Sequence, residues 1–243
     1  MTAHLRSDGF GVAQPLNPTV DRPGTAPARG RRRGAMDRRS GLKPYRAIGK
    51  RLLDLSVVIL TLPVTLPVIL FMAVLVALDG GRPFYSQPRV GRDGRIFRMW
   101  KLRSMQVDAE AALESYLARN PTMRAEWDAH QKLRHDPRIT PIGELLRRSS
   151  LDELPQIFNI LMGDMSVVGP RPMMPDQQDL YPGRAYYDLR PGLTGLWQVT
   201  ARNESVFTFR AACDSRYDRR LSLLMDLKII LFTFAVVLRG TGR

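Results

Sequence analysis

The hydrophobic pattern of this chain is dominated by one apolar run without a charge, at residues 55–78. As a helix, its roughly 24 residues would be about 36 Å long, more than the roughly 30 Å hydrocarbon core of a bilayer. Pro63 and Pro67 lie in its middle, where each removes a helical hydrogen bond that lipid cannot replace. Basic residues flank both ends: Arg46, Lys50 and Arg51 before it, and Arg82, Arg89, Arg92, Arg95 and Arg98 after it. Two interpretations stay open: a segment that bends at the prolines and returns to the same face, and a proline-kinked transmembrane helix.

The remaining apolar positions predict shorter elements. Extended pieces are predicted at 84–87 and 95–100, around a turn at 91–94. Helices follow at 106–119 and 122–134, then a connector at 136–143 and a helical segment at 144–148 that leads into the next motif. Further on, a loop runs into an apolar strand-like piece at 190–199, and a polar helix is predicted at 202–220. Residues 221–238 contain Asp226 and Lys228, so their clean apolar stretch is too short to span a bilayer. A helix lying on or shallowly in the membrane is predicted there.

The formal net charge of +14 is unevenly placed. Residues 1–54 carry 12 Lys and Arg against 4 Asp and Glu, and residues 79–243 carry 25 against 19. Residues 1–44 are rich in Arg, Gly, Pro and Thr without an apolar period, which is typical of a disordered basic tail. Such charge attracts a polyanion, and both anionic lipid and nucleic acid are open as that partner.

Cysteine and histidine usage narrows the chemistry further. Cys213 is the single cysteine, so it cannot form an internal disulfide, which is consistent with a reducing cytoplasm. With only three histidines beside it, the usual ligand set of a zinc site is not available.

Residues 147–155 hold the strongest candidate chemistry, because Asp152 and Glu153 stand side by side after two arginines. Ser150 and Glu153 have the spacing of a capping box, so the plain interpretation is that they start a helix. Pro155 is tolerated only in a first helical turn, which moves the predicted start towards Asp152. A helix N-terminus also favours ionised carboxylates and nearby phosphate, so an ionised Asp152 could act as a nucleophile or a metal ligand.

Two carboxylates facing a diphosphate would repel it, so a functional site needs a divalent cation or several basic side chains. Arg147, Arg148 and Arg171 are the nearest in sequence. Lys101 and Arg103 belong to a basic stretch with two interpretations: a strip at the membrane surface, or a side chain that points into the phosphate site. Trp197 is likewise either a core residue or a platform for a sugar.

These motifs, taken together and in order, resemble the bacterial sugar transferase family, the monotopic polyprenyl-phosphate phosphoglycosyl transferases. The similarity covers about residues 48–243. It is carried by KRLLD at 50–54, QPRVGRDG at 87–94, KLRSM at 101–105, SLDELPQ at 150–156, GDMSVVGPRP at 163–172 and RPGLTGLWQV at 190–199. The C-terminal half is most similar to members that initiate exopolysaccharides.

The resemblance implies an α-rich α+β fold in three parts. Residues 1–44 would be the basic tail, 45–79 a re-entrant membrane helix broken at Pro67 and Pro63, and 80–243 a compact catalytic domain with short strands and surface amphipathic helices. This domain would lie on the cytoplasmic face of the bacterial inner membrane. Some members have a serine before the proline where this chain has Leu66, so the break would depend on the prolines alone.

The resemblance also implies the chemistry. Asp152 and Glu153 would form the catalytic dyad, magnesium would be required, and Arg147 would bind phosphate. Asp152 and Glu153 are therefore the predicted metal ligands, and Arg171, Arg103 and Lys101, from the basic stretches described above, are predicted to bind phosphate with Arg147. The expected reaction moves a sugar phosphate from a UDP-sugar, UDP-galactose or UDP-glucose, to undecaprenyl phosphate through a phosphosugar on Asp152. Membrane lipid is the expected surface and nucleic acid is not an expected partner, while the oligomeric state, a homodimer included, stays open. Direct transfer without the covalent step, a membrane-tethered scaffold, and a hydrolase of nucleotide sugars are the alternatives.

Overall fold

The computed structural model describes residues 44–130, 133, 135–200 and 207–238. The predicted tail therefore lies outside the described residues, except for Pro44. Over the described residues the helices are α1 (Lys50–Leu78), α2 (Ala109–Arg119), α3 (Pro121–His130), α4 (Pro141–Ser149), α5 (Gln156–Met162), α6 (Leu196–Thr200), α7 (Phe207–Arg220) and α8 (Leu223–Leu238). The strands are β1 (Phe84–Val90), β2 (Ile96–Leu102), β3 (Ser166–Val168) and β4 (Gly192–Thr194). The prediction of a helix-rich fold with short strands is confirmed.

The longest strands form the predicted hairpin. β1 and β2 pair antiparallel from Phe84 opposite Leu102 to Val90 opposite Ile96. Asp93 and Gly94 take φ values of 58° and 77° in the connecting turn, which lets the chain reverse over so few residues. Because residues directly opposite each other share a face of the sheet, Tyr85, Gln87 and Arg89 lie on the same face as Lys101.

The second sheet was only partly predicted. β3 and β4 pair in parallel, with Ser166 opposite Gly192 and Val168 opposite Thr194. β4 falls inside the strand-like piece expected at 190–199, but the residues after it form the helix α6, so the prediction is wrong from Leu196 onward. A short apolar run does not distinguish a buried strand from a buried helix, which is why the pattern failed here.

α1 is continuous from Lys50 to Leu78, so the helix is not interrupted at Pro63 or Pro67. With the π-helical turn Tyr45–Gly49 that leads into it, α1 is, among the described residues, the one helix long and apolar enough to cross a membrane. Its buried residues face the rest of the chain, whereas much of its apolar surface is exposed, including Ile59, Leu60, Val64, Leu70, Phe71, Val74 and Leu78. α8 exposes a second apolar set: Leu223, Leu224, Leu227, Leu231, Phe232 and Phe234.

A buried polar cluster ties α1 to the end of the chain. Asp226 of α8 is fully buried, and its carboxylate receives Lys50 Nζ at 2.9 Å and the hydroxyls of Tyr45 and Tyr217 at 2.5 Å each. Asp54 Oδ1, one helical turn beyond Lys50, accepts from the main-chain N of Val167 at 2.9 Å in β3. Asp226, which interrupts an apolar stretch of the sequence, and Lys50 and Asp54, which precede the uncharged run, therefore join α1 to α8 and β3.

α4 leads directly into the predicted site and begins earlier than expected. Thr140 Oγ1 accepts from the N–H of Gly143 at 3.0 Å, and Pro141 occupies the first helical position, so part of the predicted connector at 136–143 is helical. Gly143 packs against the end of β2, where an added Cβ would lie 1.9 Å from the carbonyl oxygen of Ser104. The absence of a side chain at Gly143 therefore lets α4 approach the hairpin.

Candidate active site

The carboxylate pair lies in a tight connection between two helices. Ser150 has φ 58° and ψ 20°, and its N–H donates to the carbonyls of Leu146 and Arg147, so it closes the C-terminus of α4. The capping-box interpretation is therefore wrong: Ser150 ends a helix and makes no side-chain cap hydrogen bond. A 3-10 turn at Leu151–Glu153 follows, and α5 starts only at Gln156, after Pro155.

Asn159 fixes this connection against the hairpin. Its side chain is fully buried; Oδ1 accepts from the main-chain N of Trp100 at 3.0 Å, and Nδ2 donates to the carbonyl of Arg98 at 2.7 Å. These two bonds satisfy backbone groups of β2 that lie outside the β1 pairing. They hold α5 beside β2 and bring Lys101 to the carboxylates.

Lys101 bridges both acidic side chains. Its Nζ lies 2.8 Å from Glu153 Oε1 and 3.5 Å from Asp152 Oδ2, and the side chains of Lys101 and Asp152 are only 13% and 11% exposed. Of the two residues considered, the structure places Lys101 beside the acidic pair, and its binding of phosphate stays a prediction. The Lys101 ammonium lies between the two carboxylates, so an oxygen of each points towards one position that is occupied by a cation.

The two carboxylates have different electrostatic settings. Burial raises the pKa of Asp152, while the charges of Lys101 and Arg147 oppose that shift. Burial also acts against ionisation of Glu153, but Lys101 and Arg171 outweigh it and the pKa of Glu153 is lowered. Burial disfavours the Lys101 ammonium as well, yet Glu153 and Asp152 raise the pKa of Lys101. Perturbed groups of opposite charge in one cleft are typical of a functional site.

The predicted phosphate-binding arginines are placed differently from one another. Arg147 Nε donates to Ser104 Oγ at 2.8 Å, and its charge acts on Asp152. Arg171 lines a cleft with Lys101 and Glu153. These two residues are brought to the acidic pair, and their binding of phosphate stays a prediction.

The hydrogen bonds of the Arg103 side chain are made to residues outside this cleft. Its guanidinium donates to the carbonyls of Val76 at 2.9 Å and Met105 at 3.1 Å, and also to those of Gly80 and Arg82. The carbonyls of Val76, Gly80 and Arg82 lie at and just beyond the C-terminal end of α1, whose last turn lacks helical partners. Arg103 therefore closes that helix in this structure, and a phosphate-binding role for it has no support in these bonds.

Sequence reasoning missed several residues of the cleft. The lining also includes Arg89, Gln156 and Gln198. Tyr85 lies opposite Lys101 in the hairpin, and burial raises its pKa while the Lys101 charge lowers it. Tyr85 and Gln87 alternate on the extended piece predicted at 84–87, and Arg89 continues that alternation, which was the available signal for this face.

The acidic pair also fits a magnesium ion. Mg²⁺ prefers oxygen ligands and is bound in proteins through one or two carboxylates plus substrate phosphates. Asp152 and Glu153 already converge on a single cation, the Lys101 ammonium. The donor set is therefore compatible with the ion that the sequence resemblance implies.

A largely buried acidic pair bridged by lysine, with arginines around it and an apolar helix beside it, is a site suited to handling phosphates at a membrane surface. The comparison with known families agrees with this class. Residues 45–240 match the family described as bacterial sugar transferase, and the chain belongs to that family.

Individual relatives extend this comparison. The chain is 44% identical over 195 residues to the UDP-galactose-lipid carrier transferase of Erwinia amylovora and 43% identical over 195 residues to the undecaprenyl-phosphate galactose phosphotransferase of Salmonella typhimurium. In both cases the match covers 79% of this chain and 41% of the relative. It is also 41% identical over 204 residues to the exopolysaccharide production protein ExoY of Sinorhizobium fredii, covering 83% of this chain and 90% of that protein. The chain thus spans about two fifths of the first two relatives and most of the third.

Proposed function

We propose that this protein transfers a sugar 1-phosphate from a UDP-sugar to undecaprenyl phosphate, yielding undecaprenyl-diphospho-sugar and UMP. The observation that carries the proposal is the pair of Asp152, which is buried, and Glu153, which is partly buried, on Lys101, in a chain of the sugar transferase family. The names of two relatives include galactose together with a lipid carrier or undecaprenyl phosphate. This favours a nucleotide-linked hexose as donor and a lipid phosphate as acceptor here. UDP-galactose and UDP-glucose are the proposed donors, and the proposed pathway is exopolysaccharide or related glycan synthesis.

In the first proposed step, a carboxylate oxygen of Asp152 attacks the sugar-bearing phosphorus. The bond from that phosphorus to the bridging oxygen breaks, and UMP leaves with the electron pair. Lys101 holds the attacking side chain in place, with its nitrogen 3.5 Å from Asp152 Oδ2, and Arg147 supplies further positive charge beside it. The product on the enzyme is an acyl phosphate bearing the sugar.

In the second proposed step, a phosphate oxygen of undecaprenyl phosphate attacks the same phosphorus and releases the Asp152 carboxylate unchanged. Glu153 and Lys101, joined by a 2.8 Å ion pair, keep the acyl phosphate of Asp152 oriented between the two steps. Asp152 and Glu153 would hold magnesium, whose contribution is to neutralise the phosphate charge that gathers at this site.

The lipid acceptor requires a site at the membrane surface, and we propose that the exposed apolar residues of α1 and α8 supply it. We further propose that α1 enters and leaves on one face, which would be the cytoplasmic face of the inner membrane. The support is that both ends of α1 contact the rest of the chain: Lys50 bonds Asp226, and Ala73 and Val76 pack with Leu102 and Leu146. If α1 were straight, Lys50 and Val76 would lie roughly 39 Å apart, so contacts of both ends with the rest of the chain favour an α1 that enters and leaves on one face.

The same-face topology is tested in intact cells and in inverted membrane vesicles with tags at both chain ends. We expect protease to remove both tags only in the inverted vesicles, because the segments before and after α1 lie on one side. Tags that are cut on opposite sides would contradict this topology and leave a membrane-spanning α1.

The proposed reaction is tested with purified protein in nanodiscs, magnesium, each UDP-sugar and undecaprenyl phosphate. We expect UMP and lipid-linked sugar to form in equal amounts with UDP-galactose or UDP-glucose. UMP that accumulates catalytically without lipid would instead identify a hydrolase. A protein that produces neither UMP nor glycolipid from any donor would contradict the proposed activity.

A further inference from the structure

Arg89 is a charged residue of the cleft that the steps above do not use. It makes one described side-chain hydrogen bond, from Nη2 to Gln87 Oε1 at 3.0 Å. Its Nε is buried and has no hydrogen-bond partner within the described part of the chain. Burial and the neighbouring charge of Arg171 lower the pKa of Arg89. Since a buried donor without an acceptor is unfavourable, the environment of Arg89 is suited to a ligand that accepts hydrogen bonds.

Arg171 is held near Arg89 by bonds between the chain segments that carry them. The N–H of Val90, next to Arg89, donates to the carbonyl of Met173 at 3.0 Å. The Tyr186 hydroxyl donates to the carbonyl of Val90 and accepts from the N–H of Met173 at 3.1 Å. None of these bonds uses a guanidinium group, so they bring the two arginines together without engaging the side-chain donors of either.

A buried arginine on α7 strengthens this placement. Arg210 donates to the main-chain carbonyl of Arg171. Its guanidinium carbon lies 5.9 Å from the ring centres of Tyr186 and Trp197 and 5.2 Å from that of Phe207. Aromatic faces on this scale hold a cation in position. Arg210 therefore fixes the backbone from which the Arg171 side chain extends.

The positive charges are divided between the two sides of the acidic pair. Arg89 and Arg171 line the cleft together with Lys101 and Glu153, and among the described residues its lining includes neither Asp152 nor Arg147. The electrostatics agree with this placement: burial opposes ionisation of both carboxylates, while Lys101, Arg171 and Arg89 lower the pKa of Glu153 and Lys101 and Arg147 oppose the rise in the pKa of Asp152. Lys101 is already engaged by both carboxylates, so the arginines on the Glu153 side are an excess of positive charge in the cleft.

We infer that Arg89 and Arg171 form a second phosphate-binding site, on the Glu153 side of the acidic pair and separate from Arg147 on the Asp152 side. Paired guanidinium groups match the oxygens of a phosphomonoester or a diphosphate, because each can donate two parallel hydrogen bonds. The inference rests on the proposed function, in which two substrates carry phosphate. The group bound here is either the nucleotide phosphate of the donor or the terminal phosphate of the lipid acceptor.

The test compares Arg89→Gln with Arg98→Gln in the full chain in nanodiscs. Arg98 is a matched control because it is an exposed arginine on the other strand of the same hairpin, where its Nη1 lies 3.4 Å from Ser86 Oγ. UMP release without acceptor and discharge of the loaded enzyme by undecaprenyl phosphate are measured separately. Loss of a buried charged contact should weaken binding of one substrate by about 10- to 100-fold.

The two sources of phosphate give different results. Slower UMP release at low donor concentration, with normal discharge, assigns the site to the donor. Normal UMP release with slower discharge assigns it to the acceptor. If Arg89→Gln stays within twofold of Arg98→Gln in both half-reactions, the inferred site is contradicted.

A binding measurement separates this site from the proposed reaction. Inorganic pyrophosphate should raise the melting temperature of the wild type and of Arg98→Gln, but not that of Arg89→Gln. An undiminished shift in Arg89→Gln would overturn the inference even if the enzyme is active. If Arg89→Gln does not fold, Arg89→Lys is used, which keeps the charge, lacks the fork of donors and should lose most of the pyrophosphate shift.

Discussion

Replacing Asp152 with asparagine is expected to reduce turnover by a factor on the order of 10⁴, as removal of an essential active-site group does in other enzymes. Asparagine has the same shape, so the 3-10 turn and the fold are expected to persist. It lacks the anionic oxygen that would attack phosphorus, and it removes one of the two carboxylates that face Lys101. The measurement is the rate of glycolipid formation from a UDP-sugar and undecaprenyl phosphate.

The matched control is Asp93→Asn, an identical exchange at an exposed carboxylate in the hairpin turn. Asparagine tolerates the left-handed conformation at this position, φ 58°, so activity should stay near that of the wild type. Full turnover in Asp152→Asn would contradict the role of this residue as the nucleophile. An equal loss in both variants would point to a general effect of the exchange.

The second large effect is expected on stability, from Asp226→Ala. This substitution removes the carboxylate that receives Lys50 and the hydroxyls of Tyr45 and Tyr217, and it leaves the Lys50 ammonium buried without its partner. Breaking a buried ion pair in this way costs about 3–5 kcal/mol of folding free energy. In nanodiscs this should lower the melting temperature by roughly 10 °C, because α1 loses its main polar attachment to α8.

Asp218→Ala is the control for that prediction. Asp218 pairs with Arg46 in the same region, but the two side chains are 24% and 38% exposed. Such partly solvated pairs contribute under about 1 kcal/mol, so the melting temperature should change little. Equal destabilisation by the two substitutions would contradict the central structural role assigned to Asp226.

The sequence predicted local features of the fold better than distant ones. The hairpin could be predicted because its Gly-Arg-Asp-Gly turn lies between extended pieces, and α8 because its apolar pattern is long enough. The attachment of α1 could not be predicted, because Lys50 and Asp226 are 176 positions apart. Asp226 therefore looked like a break in an apolar run rather than a buried partner.

The candidate site shows the same division. Asp152 and Glu153 could be identified as candidate site residues because they are adjacent in the sequence. The role of Ser150 was misjudged, because the spacing of a capping box does not reveal that the backbone of Ser150 has a left-handed conformation. Lys101 and Arg103 are two positions apart and were indistinguishable from local composition. The structure places Lys101 beside the carboxylates and Arg103 at the end of α1, because Lys101 lies within β2 whereas Arg103 follows the end of that strand.

The central claim is that Asp152 carries the sugar phosphate between donor and lipid, and the intact mass of the protein tests it most directly. Protein in nanodiscs is incubated with magnesium and a panel of UDP-sugars without acceptor. We expect the wild type to gain the mass of one hexose phosphate with a preferred donor, to lose it when undecaprenyl phosphate is added, and Asp152→Asn to gain nothing. Wild-type protein that makes glycolipid in full yet shows no added mass with that donor would contradict the covalent mechanism and favour direct transfer.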